Sequence, residues 1–184
     1  MPFTAYHFGP SGLIGLGLRK YIDIPVFVLA NVIVDLEVLA VNLFGLGRPV
    51  HRYFHTLLIG AAVGVIWGSS AYPLRHLFKK IMQILRIPYE TGFWKMVISG
   101  ALGAWLHVII DAIYHWEVRI FWPSKATPLW RLLTHTQVIF ICIVCLLATL
   151  VLYAIVYVTY TKQSKAEKAI REANYTRKSK GDIR

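Results

Sequence analysis

Charge is absent from long stretches of this chain and crowded between them. Val138 to Tyr160 holds 23 residues without one charged side chain. A helix needs about 20 apolar residues to cross the hydrocarbon core of a bilayer. Thr56–Pro73 is a second uncharged run. Met96–Trp116 is a third, interrupted by His107, Asp111 and His115, and Ile24–Asn42 is a fourth, interrupted by Asp35 and Glu37. Backbone groups cannot face lipid unpaired, so runs of this length predict helices. The pattern predicts an all-α fold, a polytopic membrane helical bundle of about four to five membrane helices.

The connecting segments refine this. Asp23 and Pro25 supply an N-cap and a first turn for the helix that follows them. Tyr6–Tyr21 is apolar and Gly-rich, and Gly9-Pro10-Ser11 would start a short first helix there, as a fifth span or a re-entrant one. In Leu74–Ile87, Lys and Arg fall between Leu74, Leu77, Phe78, Ile81, Ile84 and Leu85. That spacing predicts a basic amphipathic interfacial helix lying on the membrane surface. From Thr161 the chain turns polar, with helix-prone sequence around Ala166–Ala173. One membrane-embedded domain over residues 1–160 and a basic tail over 161–184 are expected.

Composition agrees, with 57% hydrophobic and 16% charged residues, against about 25% charged in an ordinary soluble domain. The mean hydropathy is +0.54. The net charge of +11 matters for where it falls. Leu74–Lys95 carries Arg75, Lys79, Lys80, Arg86 and Lys95 against Glu90, and Thr161–Arg184 carries eight basic residues against three acids. The positive-inside rule places both segments, and the C-terminus, on the cytoplasmic side. The loops around Arg48 and Arg52, and around Arg119, Lys125 and Arg131, then face outward, with Trp116, Trp122 and Trp130 at that interface. The first residues lack a basic stretch and a cleavage site, so no cleaved signal is expected. The tail's charges have no interleaved aromatics, so lipid headgroups or solvent, and no nucleic acid, are the expected partners. Cys142 and Cys145 sit inside the longest apolar run and read as small apolar residues.

Against this background the buried ionisable residues stand out. His107, Asp111 and His115 follow one another at intervals of four, which places them on one helical face. His51 and His55 are also four apart, and Asp35 and Glu37 interrupt their helix in its outward half. His7 precedes the short first helix. The topology, drawn from Lys and Arg alone, gathers all of these on the outer side. An Asp at a helix centre costs about 2.5–3.5 kcal/mol on the insertion scale, so Asp35 and Asp111 need a cation beside them. Carboxylates with neutral imidazoles form a transition-metal ligand set. Glu37, two residues from Asp35, points to the other helical face unless the helix is distorted. His76 and His135 read as structural.

Several of these stretches resemble a known family. The opening M-P-F-T-A-Y-H, the V-D-L-E, the H-R-Y-F-H-T-L, the L-H-V-I-I-D and the W-E-V-R-I-F-W-P resemble the integral-membrane metal-dependent hydrolases, the LexA-regulated membrane-bound type. The likeness covers about the first two-thirds of the chain. Val34 stands where that family has Pro, Glu37 where it often has Asp, and the His51–His55 interval is one residue shorter. Either or both of these histidines can therefore be the ligand. The ligand order is also similar to that of zinc-dependent phospholipase C and P1-type nuclease.

Together, residues and resemblance imply a metal-dependent hydrolase holding one to three divalent ions, zinc by preference. His7, Asp35, His55, His107 and Asp111 are the expected ligands, with His51 and His115 as further candidates. Asp111 and Glu37 are the expected catalytic residues, Glu37 as a general base. Arg48, Arg52, Arg119 and Arg131 are expected to hold a phosphate group. The expected partners are the bilayer and a lipid-like or phosphorylated substrate, and the expected location is the inner membrane. A haem protein and an ion or proton transporter are the alternatives.

Overall fold

The computed structural model describes residues 4–181. Among these there are helices and connections only. A 3-10 turn, Thr4–His7, leads into α1 (Phe8–Gly17). It is followed by α2 (Ile24–Leu43), α3 (Leu57–Ser70), α4 (Arg75–Ile84), α5 (Phe93–Tyr114) and α6 (His135–Gly181). The helices begin where the sequence says they should. Asp23 caps α2 by accepting from the Val26 amide at 3.2 Å, with Pro25 in the first turn. Thr56 caps α3 by accepting from the Ile59 amide at 3.2 Å.

Helices α2, α5 and the first part of α6 are each long and apolar enough to cross a membrane. Helices α3 and α4, bent by 44° at their junction, form a fourth candidate if taken together. Helix α1 corrects the expectation of a fifth span. Its ten residues reach about 15 Å at 1.5 Å per residue, half of what a crossing needs. It packs instead against α6 and α2. Helix α4 is the predicted amphipathic helix, with Phe78 and Met82 turned inward and Lys79 and Lys80 exposed. Helix α6 runs on past Tyr160 without a break.

The centre of the bundle is unusually close. The buried residues of α3 are Gly60, Gly64 and Gly68, one per turn. A methyl group on Gly64 would run into the backbone of Gly100 on α5, one on Gly68 into the backbone of Met96, and one on Gly100 into that of Gly64. Gly103 meets the backbone of Phe27 on α2 in the same way. Without a hydrophobic driving force between helices in lipid, small residues that let backbones touch are what hold them together. This seam sets α3 and α5 in fixed register, with His55 just before the start of α3 and His107 and Asp111 in the last turns of α5. Above it, Val34, Ala104, Val108, Ala112, Val118 and Ile120 form an apolar cluster that walls the site described next.

Candidate metal centre

Five elements deliver side chains to one buried point. The turn before α1 brings His7, whose carbonyl accepts from Ser11 Oγ at 2.7 Å. Helix α2 brings Asp35, and the α2–α3 loop brings His51 and His55. Helix α5 brings His107 and Asp111, and the residue capping its C-terminus is His115. His7, His51, His55, His107 and Asp111 are all buried.

Asp111 is the hub. Its Oδ1 lies 3.2 Å from His7 Nε2, and its Oδ2 lies 3.2 Å from His107 Nε2, 3.5 Å from His55 Nε2 and 3.7 Å from His51 Nε2. Asp35 Oδ1 is 3.2 Å from His107 Nε2 and 3.5 Å from His55 Nε2. The rings of His7 and His107 stack at 4.4 Å, and those of His51 and His115 lie tilted at 4.1 Å. Two donor groups result. Asp35, His55, His107 and Asp111 form one, and His51, Asp111 and His115 the other, each compact enough to hold a metal ion. Asp111 belongs to both.

The fit to a metal rests on what these atoms lack. Among the described residues, both ring nitrogens of His7 and of His107, and Nε2 of His55, are buried without a hydrogen-bond partner. Buried polar atoms left unpaired are rare and costly. A neutral imidazole offers one lone pair, and the Nε2 atoms of His7, His55 and His107, which all face Asp111, are the ones suited to give theirs to an ion. Oxygen and nitrogen donors of this kind suit zinc and its first-row neighbours.

Two carboxylates stand behind the cluster and aim it. Glu37 takes the His55 Nδ1 proton at Oε2, 3.0 Å away. Its two oxygens also accept from the backbone amides of Arg52, Tyr53 and Phe54 at 2.7–3.1 Å. Glu37 is thus the corner post of the α2–α3 loop. Its oxygens are occupied by these bonds, which gives Glu37 a positioning role toward His55. Glu117 does the same for His51, accepting from Nδ1 at 2.6 Å and from the backbone amide at 3.3 Å. A carboxylate on Nδ1 leaves the Nε2 lone pair for an ion. Glu117 went unnoticed as a site residue in the sequence, although it lies in the W-E-V-R-I-F-W-P stretch. An acid in a polar loop is not out of place there, and its only signal is its position two residues after His115.

The loop groups show the electrostatic balance. Burial pulls His51 below its usual pKa, with His55 adding to the effect, against the opposing pull of Asp111 and Glu117. Burial also lowers His115, to about 4, despite Asp111. Both are therefore neutral, the ligating form. Burial acts on His55 too, but the surrounding carboxylates of Asp111, Asp35 and Glu37 overcome it and hold the imidazole well above its usual value. Burial raises Glu117, and the bonds from His51 outweigh it, keeping the group below the usual carboxylate range. The Asp35 side of the cluster holds positive charge strongly, and a metal ion meets the same demand as the proton.

A cavity of about 310 Å³ opens beside His51 and Glu117, lined also by Arg48, Arg52, Arg119, Tyr53 and Trp122. It gathers three of the four expected arginines. Arg52 is partly committed, donating from Nε to Pro49 O at 2.8 Å and from Nη2 to Leu46 O at 2.8 Å. Arg131 is not among the lining residues and lies over the Trp130 ring. His135 is outside the cluster, stacked on Tyr114 at 4.3 Å, and His76 is exposed on α4. Cys142 and Cys145 are free thiols within α6.

Residues 21–170 match the YdjM inner membrane protein family. The chain belongs to that family. Membership agrees with the helical bundle and its apolar spans, and the matched region of this YdjM-family protein contains every residue of the cluster except His7. No curated protein and no solved structure matches the chain significantly.

Proposed function

We propose that this YdjM-family protein is a membrane-embedded metal-dependent hydrolase of phosphoesters, acting on a lipid-like substrate near the outer face of the inner membrane. The observation that carries the reading is Asp111, shared by two donor groups beside a cavity that presents arginine side chains. Asp35, His55, His107 and Asp111 would hold one divalent ion, and His51, His115 and Asp111 a second, zinc by ligand type. His7, against Asp111 and His107, completes the imidazole wall. Divalent ions bound there would acidify a water and polarise a phosphoryl oxygen.

The chain's own residues do the rest. Arg48 and Arg119 pair with the phosphate oxygens and orient phosphorus toward His51 and Asp111. Glu37 and Glu117 lock the two imidazoles so that Nε2 points inward. The apolar cluster around Val108 and Val118 keeps bulk water from the deep side. Water oxygen would add to phosphorus as the ester P–O bond breaks, and a proton released by that water would pass through solvent in the open cavity to the departing alkoxide, leaving phosphate and alcohol. The Lys and Arg distribution supports an outward-facing site and a cytoplasmic C-terminus. The paired imidazole rings lie 4.1 and 4.4 Å apart, which leaves no room between them for a porphyrin and disfavours a haem protein.

The test is elemental analysis of protein purified in detergent, with a phosphatidic acid hydrolysis assay before and after chelation. Bound zinc near two equivalents, with activity lost on chelation and restored by zinc, supports the reading. Metal-free protein that also takes up no added ion would overturn the site. A metal-loaded protein inert toward phosphate mono- and diesters would overturn the chemistry alone.

A further inference from the structure

The other end of the bundle holds a larger cavity, about 570 Å³. Lys95, near the start of α5, lies on its wall. Asp111 is about 24 Å further along the same helix at 1.5 Å per residue, so the two cavities occupy opposite ends of the fold. Two connections and one helix close this second cavity: the turn after α1 with Arg19 and Lys20, the α4–α5 linker with Tyr89 and Glu90, and the flank of α6 at Tyr160.

Its charge is lopsided, with Arg19, Lys20 and Lys95 against Glu90. The buried Asp23 nearby offsets part of this charge at Lys95, but its oxygens do not compete for a ligand in the cavity. Asp23 is already occupied by the Val26 amide, by Tyr89 Oη at 2.7 Å and by Thr91 Oγ1. Lys95 is positioned rather than loose. Its Nζ donates to Arg19 O at 3.0 Å and to Glu90 O at 2.7 Å. An ammonium has three protons, so one remains for a ligand. Arg19 donates from Nη1 to Leu16 O at 3.1 Å, which steadies its guanidinium and leaves most of its fork open.

The surroundings fix the depth of this cavity in a membrane. Tyr21 on its lining and Trp94, next to Lys95 in α5, are each 71% exposed, as amphipathic rings are at the headgroup level. Leu77, Ile81 and Ile84 of α4 are also exposed, next to Lys79 and Lys80, which is the surface of a helix lying in the interface. The uncharged run of α6 ends at Tyr160, on the cavity wall. A fixed cationic recess between helices at headgroup depth matches one kind of molecule. We propose that Arg19, Lys20 and Lys95 bind the phosphate group of an anionic lipid headgroup at the end of the bundle opposite the metal centre. A phosphodiester brings one negative charge and acceptor oxygens that suit an Arg fork and two ammonium groups.

Native mass spectrometry of the full-length protein tests this, with phosphatidylglycerol, phosphatidylcholine or inorganic phosphate as the added probe. Phosphatidylglycerol should be retained at energies that strip phosphatidylcholine. Lys20→Gln and Lys95→Gln should each weaken that retention about five-fold, at about 1 kcal/mol per basic residue near a membrane surface. Lys95 ties two segments together and its variant can unfold. Lys20 is exposed, so Lys20→Gln carries the test alone if needed. Equal retention of the two lipids, or no change on Lys20→Gln, overturns the proposal. Binding of inorganic phosphate without preference for phosphatidylglycerol overturns the lipid as its source. The metal content of these variants stays at the wild-type level in every case, which separates this result from the fate of the metal centre.

Discussion

His51 and His55 are built alike and placed differently. Each belongs to the α2–α3 loop, each has a carboxylate on Nδ1, and each turns Nε2 toward Asp111. His55 goes to the deep side, where Asp35 joins Asp111 and the carboxylates hold positive charge. His51 goes to the side that opens on the arginine-lined cavity, where its donor group has one carboxylate and a second neutral imidazole, His115. The lesson is that one structural device, a histidine braced by a glutamate, yields a closed ligand position or an accessible one according to what surrounds it. The deep group is expected to hold its ion tightly. The cavity-side group is expected to exchange its ion and to meet the substrate.

The strongest way to break the comparison is Asp111→Asn, because both groups lose their shared carboxylate. Both ions should be lost, and elemental analysis should find less than a tenth of the wild-type metal. Retention of one full equivalent would mean that the groups do not share Asp111. Next come His55→Ala and His51→Ala, each removing one ligand. His55→Ala should empty the tighter position and His51→Ala the weaker one. Competition with chelators of graded strength reads this as loss of the high-affinity or the low-affinity step, and loss of the same step in both variants would sink the distinction.

A smaller effect is expected from the braces. Glu37→Gln and Glu117→Gln should each weaken metal binding about 10- to 100-fold, as changes behind a ligand do. They should part company in stability. Glu37 also holds three backbone amides of the loop, while Glu117 holds one. A thermal melt should therefore show a larger drop in Tm for Glu37→Gln. The smallest change to the centre itself is Arg119→Ala. It should leave metal content at the wild-type level and raise KM for a phosphoester, at about 1.5–3 kcal/mol for a lost bond to a charged group.

What could be read in advance follows from contrast. Asp35, His55, His107 and Asp111 interrupt or border apolar runs, and an ionisable group in such a setting is conspicuous. The helices α2, α3, α5 and α6 were legible for the same reason, since their length and lack of charge admit no other structure in lipid. Glu117 had no such background, and its role depends on the fold of two loops. His115 follows His107 and Asp111 at helical spacing, yet it caps α5 with extended backbone (φ −110°, ψ 122°). It reaches His51 because the helix has ended. Glu37 shows the limit of spacing rules from the other side, since the α2–α3 loop folds back over the helix to meet it. The length of α1 was illegible because nothing in its apolar, glycine-rich stretch marks a stop before Arg19, and the turn at Leu18–Ile22 ends it.

The seam of glycines between α3 and α5 has a consequence for the ions as well as for the fold. Side chains at a helix contact act as bearings that can roll from one rotamer to another, and where Gly64 and Gly68 meet Gly100 and Met96 the contact is backbone on backbone and has none. His55 at one end of α3 and Asp111 near the end of α5 are thereby mounted on a frame with little play. Such a frame would work as a caliper on any ion held there: one too large for the gap would not push it open, and one too small would not draw it shut.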